Sequence, residues 1–111
     1  MGKYDRIMKK CERFYNSPKV EEVYNLNCSM VDFLIPRLEI FLKESTKIVD
    51  WEWHKEHDHI YIEHDIRQVI RKLKYIQQNS YSSDADILRR CKRYSEEVYD
   101  KLKELHFWLW Y

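Results

Sequence analysis

Apolar residues recur three and four positions apart along almost the whole chain, and that spacing predicts helices. Tyr4, Ile7, Met8, Cys11, Phe14 and Tyr15 mark a first helix from Lys3 to Tyr15. Asn16-Ser17-Pro18 ends it. Ser17 is placed as an N-cap and Pro18 suits a first helical position, so a short helix is expected to run to about Leu26 with Val20, Val23 and Tyr24 inward. Ser29 is then expected to cap a third helix, Met30 to Glu44. Leu34, Ile35, Leu38, Phe41 and Leu42 form one broad face of it, while Phe33 and Ile40 lie well off that face. A helix apolar nearly all round belongs at the centre of a fold, and Pro36 is expected to kink this one.

Asp50 is placed to cap a fourth helix that continues to about Gln78. Ile62, Ile66, Val69, Leu73 and Ile76 give it a clean apolar seam. Trp51 fits that seam upstream, but Lys55 and Asp58 interrupt it. Residues 51–59 therefore read either as a separate turn or as the lining of an opening. Asn79 to Ser83 is a polar loop, and Ser83 with Asp86 resembles a capping box. A last helix follows almost to the end of the chain. Its buried face is expected to carry Ile87, Leu88, Cys91, Val98, Leu102, Leu105 and Leu109, with Glu97 and Lys101 paired on the exposed side. Phe107-Trp108-Leu109-Trp110-Tyr111 is apolar in every direction. These residues either cap the bundle or meet a second subunit, which makes Phe107, Trp108, Trp110 and Tyr111 candidate interface residues of a homo-oligomer.

The predicted fold is all-α: a single helical domain over residues 1–111, a compact bundle of four to five helices with a Pro-kinked central helix. Composition narrows the picture further. Gly2 is the only glycine of 111 residues, which excludes P-loops, dinucleotide-binding turns and most strand-rich folds. A net charge of +1 gives no general attraction to duplex nucleic acid. No apolar run approaches a membrane span, so a cytoplasmic protein without a membrane partner is expected. Cys11, Cys28 and Cys91 are too widely spaced for a zinc knuckle or a redox pair, and Cys11 and Cys91 read as small core residues.

Three groups of residues carry candidate chemistry. Arg37 lies one turn from both Phe33 and Phe41 on the helix expected to be most buried. A buried guanidinium needs a partner, either an internal carboxylate or the phosphate or carboxylate of a ligand. Arg89, Arg90, Lys92 and Arg93 form the densest basic cluster, with Glu96, Glu97 and Asp100 close enough to neutralise them. Arg89, Arg93 and Tyr94 join Arg37 as the expected binding set for an anionic, nucleotide-type small molecule. The competing reading is a solvated charged face. His54, His57 and His64, crowded among carboxylates, supply the alternative of a metal-binding protein or metal-dependent hydrolase, although no H-E-x-x-H pattern is present. No catalytic nucleophile stands out, and no cofactor is implied.

The stretch Ile35-Pro36-Arg37-Leu38-Glu39-Ile40-Phe41 reads (I/L)-P-R-L-x-x-F. In this it resembles a family of small uncharacterised proteins encoded by tailed bacteriophages. The seam of Ile66, Val69, Ile70 and Leu73 and the aromatic-Leu-Trp ending at Phe107 to Trp110 are similar to later parts of that family. The resemblance implies a phage accessory protein acting in the cytoplasm of a bacterial host. By analogy, its role would be anti-defence: sequestering a nucleotide immune signal or binding a host protein.

Overall fold

The computed structural model describes residues 26–110, with side chains through Leu109. The helices expected before Leu26, and Cys11 with them, lie outside the described residues. The described residues form four α-helices: α1 (Leu26–Ser45), α2 (Trp51–His57), α3 (Ile62–Asn79) and α4 (Ala85–Leu105). A 3-10 turn, His106–Trp110, follows directly. No strand occurs among the described residues, and none of their helices is long and apolar enough to cross a membrane.

The middle position belongs to α3. It packs against α1 on one side and α4 on the other. Ile62, Ile66, Val69, Ile70, Leu73 and Ile76 are all buried, so the seam read from the sequence is the core itself. Each such side chain contributes about 1.5–3 kcal/mol through loss of apolar surface to water. Both neighbours run antiparallel to α3. On the α1 side, Gln77 Nε2 donates to Asp32 Oδ1 at 2.7 Å and Lys74 reaches Glu39 at 3.1 Å. On the α4 side, Lys72 meets Glu97 at 2.6 Å and Lys101 approaches Asp65 at 3.8 Å.

Among the described residues the middle is held by α3 rather than by the Pro36 helix, which corrects the expectation that the latter is central. α1 buries Val31, Ile35 and Leu38, with Leu34, Phe41 and Leu42 half-buried beside them. Phe33 and Ile40 are exposed. Two helices had wide apolar faces, and the one with buried β-branched isoleucines and valines along a strict seam took the middle. α1 is already helical at Leu26, so Ser29 lies inside it rather than at its N-cap. Its last residue, Ser45, is buried and accepts a hydrogen bond from Trp51 Nε1 at 3.1 Å.

The fourth predicted helix is two helices. Asp50 caps α2 as expected, its Oδ1 accepting from Trp53 N at 3.1 Å. The chain then breaks. Asp58 N and Ile60 N both donate to His54 O, and His59 adopts a φ of 57°. That left-handed conformation costs a residue with a Cβ about 1–2 kcal/mol, and glycine avoids the cost. His59→Gly is therefore expected to raise stability by about 1 kcal/mol in chemical denaturation, whereas His59→Val lowers it.

Asp84, rather than Ser83, caps α4. Its Oδ1 accepts from Asp86 N at 2.8 Å and Ile87 N at 3.3 Å. A carboxylate has the better claim on a helix N-terminus because the helix dipole favours negative charge there. Along α4 the buried residues are Cys91, Val98 and Leu105, with Leu102 and Ile87 half-buried. Cys91 is a buried core side chain, as expected, and that burial pushes its thiol pKa up. Leu88, expected inside, is exposed at the margin of the seam. The expected Glu97–Lys101 pair does not form, because each residue is drawn to a partner elsewhere. Glu97 meets Lys72 across the helix interface, and Lys101 binds Glu104 at 2.8 Å.

The aromatic ending does cap the bundle in part. Trp108 and Leu109 pack on the core, with the Trp108 ring 5.2 Å from that of His54 on α2, while Phe107 is 69% exposed.

Candidate functional site

Between α3 and α4 two tyrosines meet edge to face. The rings of Tyr75 and Tyr94 are 5.2 Å apart at 76°. Tyr75 follows Arg71 by one turn on α3, and Tyr94 follows Arg90 by one turn on α4. Antiparallel packing interleaves these four side chains. Around Tyr94 lie the Arg71 guanidinium at 5.9 Å, the Lys72 ammonium at 5.8 Å and the Arg93 guanidinium at 5.5 Å from the ring centre. Arg90 stands 5.8 Å from the Tyr75 ring. Cations at this range gain from the negative ring face, by about 0.5–1 kcal/mol where exposed.

Glu97 faces these cations, taking Lys72 at 2.6 Å and Arg93 at 3.6 Å. The cluster therefore keeps a positive surplus. That surplus acts on two groups. The Tyr94 hydroxyl pKa lies below its ordinary value, first through hydrogen bonding from Arg71 and then through the charges of Arg71 and Arg90, against an opposing effect of burial. The Glu97 carboxyl is held below the usual carboxylate range, first by the Lys72 hydrogen bond and further by the charges of Lys72, Arg93 and Arg71. A neighbouring groove of about 290 Å³ starts at Lys72 and Glu97 and runs toward Lys101 and Glu104; with Asp65 and Asp100 also in its lining it is acidic on balance and forms no part of the cationic face.

Chemically, this face offers fork-shaped donors and stackable rings. It suits an anion that carries a planar group.

The residues singled out by sequence fall in different places. Arg93 and Tyr94 come together at this face. Arg89 does not join them; it pairs with Asp86 one turn back on α4. Arg37 is exposed, which corrects the expectation of a buried guanidinium. It lies 3.7 Å over the Phe33 ring and donates to Phe33 O at 3.0 Å, on the side of α1 that turns away from α3. Arg71 and Tyr75 were not anticipated, and Arg90 was read only as part of the basic cluster. Their common signal is an arginine four positions before a tyrosine, in Arg71–Tyr75 and Arg90–Tyr94, and it gains meaning only once the helices are in register.

The histidines do not converge. His54 Nδ1 lies 2.6 Å from Asp58 Oδ2, and its ring sits among Trp51, Trp53 and Trp108. His57 stacks on Trp53 at 4.2 Å with Nδ1 on the Trp53 carbonyl oxygen. His64 lies on α3, separated from His54 and His57 by the break at His59. Among the described residues no group of three or more His, Cys, Asp or Glu side chains is arranged to hold a metal ion. Of the candidate interface residues, Phe107 is exposed and Trp108 half-buried, while the side chains of Trp110 and Tyr111 lie outside the described residues.

Comparison with known protein families, with curated proteins and with solved structures finds no match to this chain.

Proposed function

We propose that this chain is a non-enzymatic binding protein that holds an anionic, nucleotide-type ligand on the face around Tyr75 and Tyr94. The observation that carries this reading is the charge balance at the two rings: Arg71, Lys72, Arg90 and Arg93 against Glu97. Guanidinium groups match phosphate oxygens in pairs, and the tyrosines give a base something to stack on. The phage resemblance of the Ile35–Phe41 segment supports the more specific form, a phage accessory protein that sequesters a nucleotide immune signal in the host cytoplasm.

Isothermal titration of the full chain with a cyclic dinucleotide, ADP-ribose and inorganic pyrophosphate tests the reading. At least one nucleotide is expected to bind, and Arg71→Ala and Arg93→Ala are each expected to weaken it about ten- to hundred-fold, the worth of one charge-assisted hydrogen bond. Arg37→Ala and Arg89→Ala are expected to leave the affinity unchanged. Absence of binding by all three ligands, or an affinity indifferent to both site variants, overturns the proposal.

The same binder is proposed to self-associate through its aromatic end, because Phe107 stands exposed with its ring 5.3 Å from that of Trp108, an apolar surface the fold leaves open. Light scattering is expected to show an oligomer for the full chain and a monomer for Phe107→Glu. A monomer in both removes this interface.

A further inference from the structure

The four cations of the tyrosine face are not equivalent. Arg71 and Arg90 form no ion pair among the described residues. Arg71 Nε donates to the neutral Gln68 Oε1 at 3.0 Å, and the Arg90 guanidinium stands by the Tyr75 ring. The charges of both are felt at the Tyr94 hydroxyl.

Lys72 and Arg93 differ, because one carboxylate serves them both. Glu97 Oε2 lies 2.6 Å from Lys72 Nζ, and Glu97 Oε1 lies 3.6 Å from Arg93 Nε. The two oxygens of a single side chain thus bridge a cation of α3 and a cation of α4. A phosphate group offers its oxygens to an ammonium and a guanidinium in the same way. Glu97 therefore stands where a phosphate would, held there by its own helix. Its side chain is 40% exposed, so water can solvate the carboxylate once it is displaced. An anion that reaches Lys72 and Arg93 must turn Glu97 out, and it gains only the difference between its own attraction and that of the carboxylate. An anion that stops at Arg71 and Arg90 displaces nothing. Arg71, Lys72 and Arg93 all lie between 5.5 and 5.9 Å from the Tyr94 ring centre, so adjoining phosphates can meet both sets of donors.

We propose that Glu97 is a tethered stand-in for a second phosphate, so that the face takes ligands with two linked phosphates, one at Arg71 and Arg90 and the other at Lys72 and Arg93 in exchange for Glu97. This rests on the anion-binding reading of the same face and adds the ligand class and the residue that limits affinity.

Isothermal titration of the protein with AMP and ADP at one ionic strength tests it in Glu97→Gln and Glu96→Gln. Each substitution removes one negative charge and keeps the side-chain shape. Glu96 is exposed on α4 and forms no ion pair among the described residues, so Glu96→Gln controls for net charge. Glu97→Gln is expected to tighten ADP about three- to tenfold and to change AMP by less than about twofold. Glu96→Gln is expected to change neither by more than about twofold. A merely structural role for the Lys72–Glu97 bridge has the opposite sign, since its loss would loosen the face and weaken both nucleotides. Weaker or unchanged ADP binding in Glu97→Gln overturns the proposal, as does an equal gain for AMP and ADP or an equal gain from Glu96→Gln. Binding of a cyclic dinucleotide without binding of ADP overturns it too, while the anion-binding reading stands. Absence of binding by every nucleotide overturns both.

Discussion

Replacing Leu73 by alanine is expected to cost about 2–5 kcal/mol, measured as a fall in the denaturant midpoint without a change in slope. Leu73 has no exposed surface. It sits in the middle of α3, the helix that packs on both neighbours, so α1 and α4 cannot both close on the vacated volume without losing contacts elsewhere. The same truncation at Leu88 removes the same carbons from an exposed site and is expected to change stability by less than about 0.5 kcal/mol. The contrast between two leucines tests the assignment of the core directly. Equal losses would mean that α3 does not hold the middle.

Trp51→Ala is the second large effect, expected at about 3–5 kcal/mol. Trp51 is 4% exposed and ties α1 to α2. Its ring meets Phe41 of α1 at 6.4 Å and His54 of its own helix at 5.7 Å. Its indole N–H donates to Ser45, which is 1% exposed. Losing the indole leaves a buried hydroxyl without that donor and opens a cavity at the joint between α1 and α2. Trp53 is 48% exposed, and Trp53→Ala is expected to cost far less. Thermal unfolding followed by circular dichroism separates the two. The most blue-shifted part of the tryptophan emission is expected to vanish with Trp51.

The core of α3 was legible in the sequence because Ile62, Ile66, Val69, Leu73 and Ile76 obey one period, and burial follows from that period alone. The order of the helices was not legible in the same way. α1 has apolar residues on two sides, and nothing local says which side meets α3 and which stays open. Arg37 was misplaced for this reason. Its neighbours Phe33 and Phe41 are aromatic, but Phe33 is on the open side. The α4 cap shifted by one position because Ser83 and Asp84 are both capping residues and stand side by side. The site was half visible. Arg93 and Tyr94 are adjacent in sequence, whereas Arg71 and Tyr75 reach them only through the α3–α4 register, which is set by the core rather than by charge.

α4 is held by a thin line of buried side chains, Cys91, Val98 and Leu105, one every seven residues, with Ile87, Tyr94 and Leu102 half-buried beside it. Most of its circumference is thus free to mutate without unfolding the protein. Lineages descended from this chain can exchange Arg90, Arg93 or Glu97 for other residues and so retune what the surface recognises while keeping the scaffold. A library randomised at those three positions should yield mostly folded variants, whereas one randomised at positions 91, 98 and 105 should yield few.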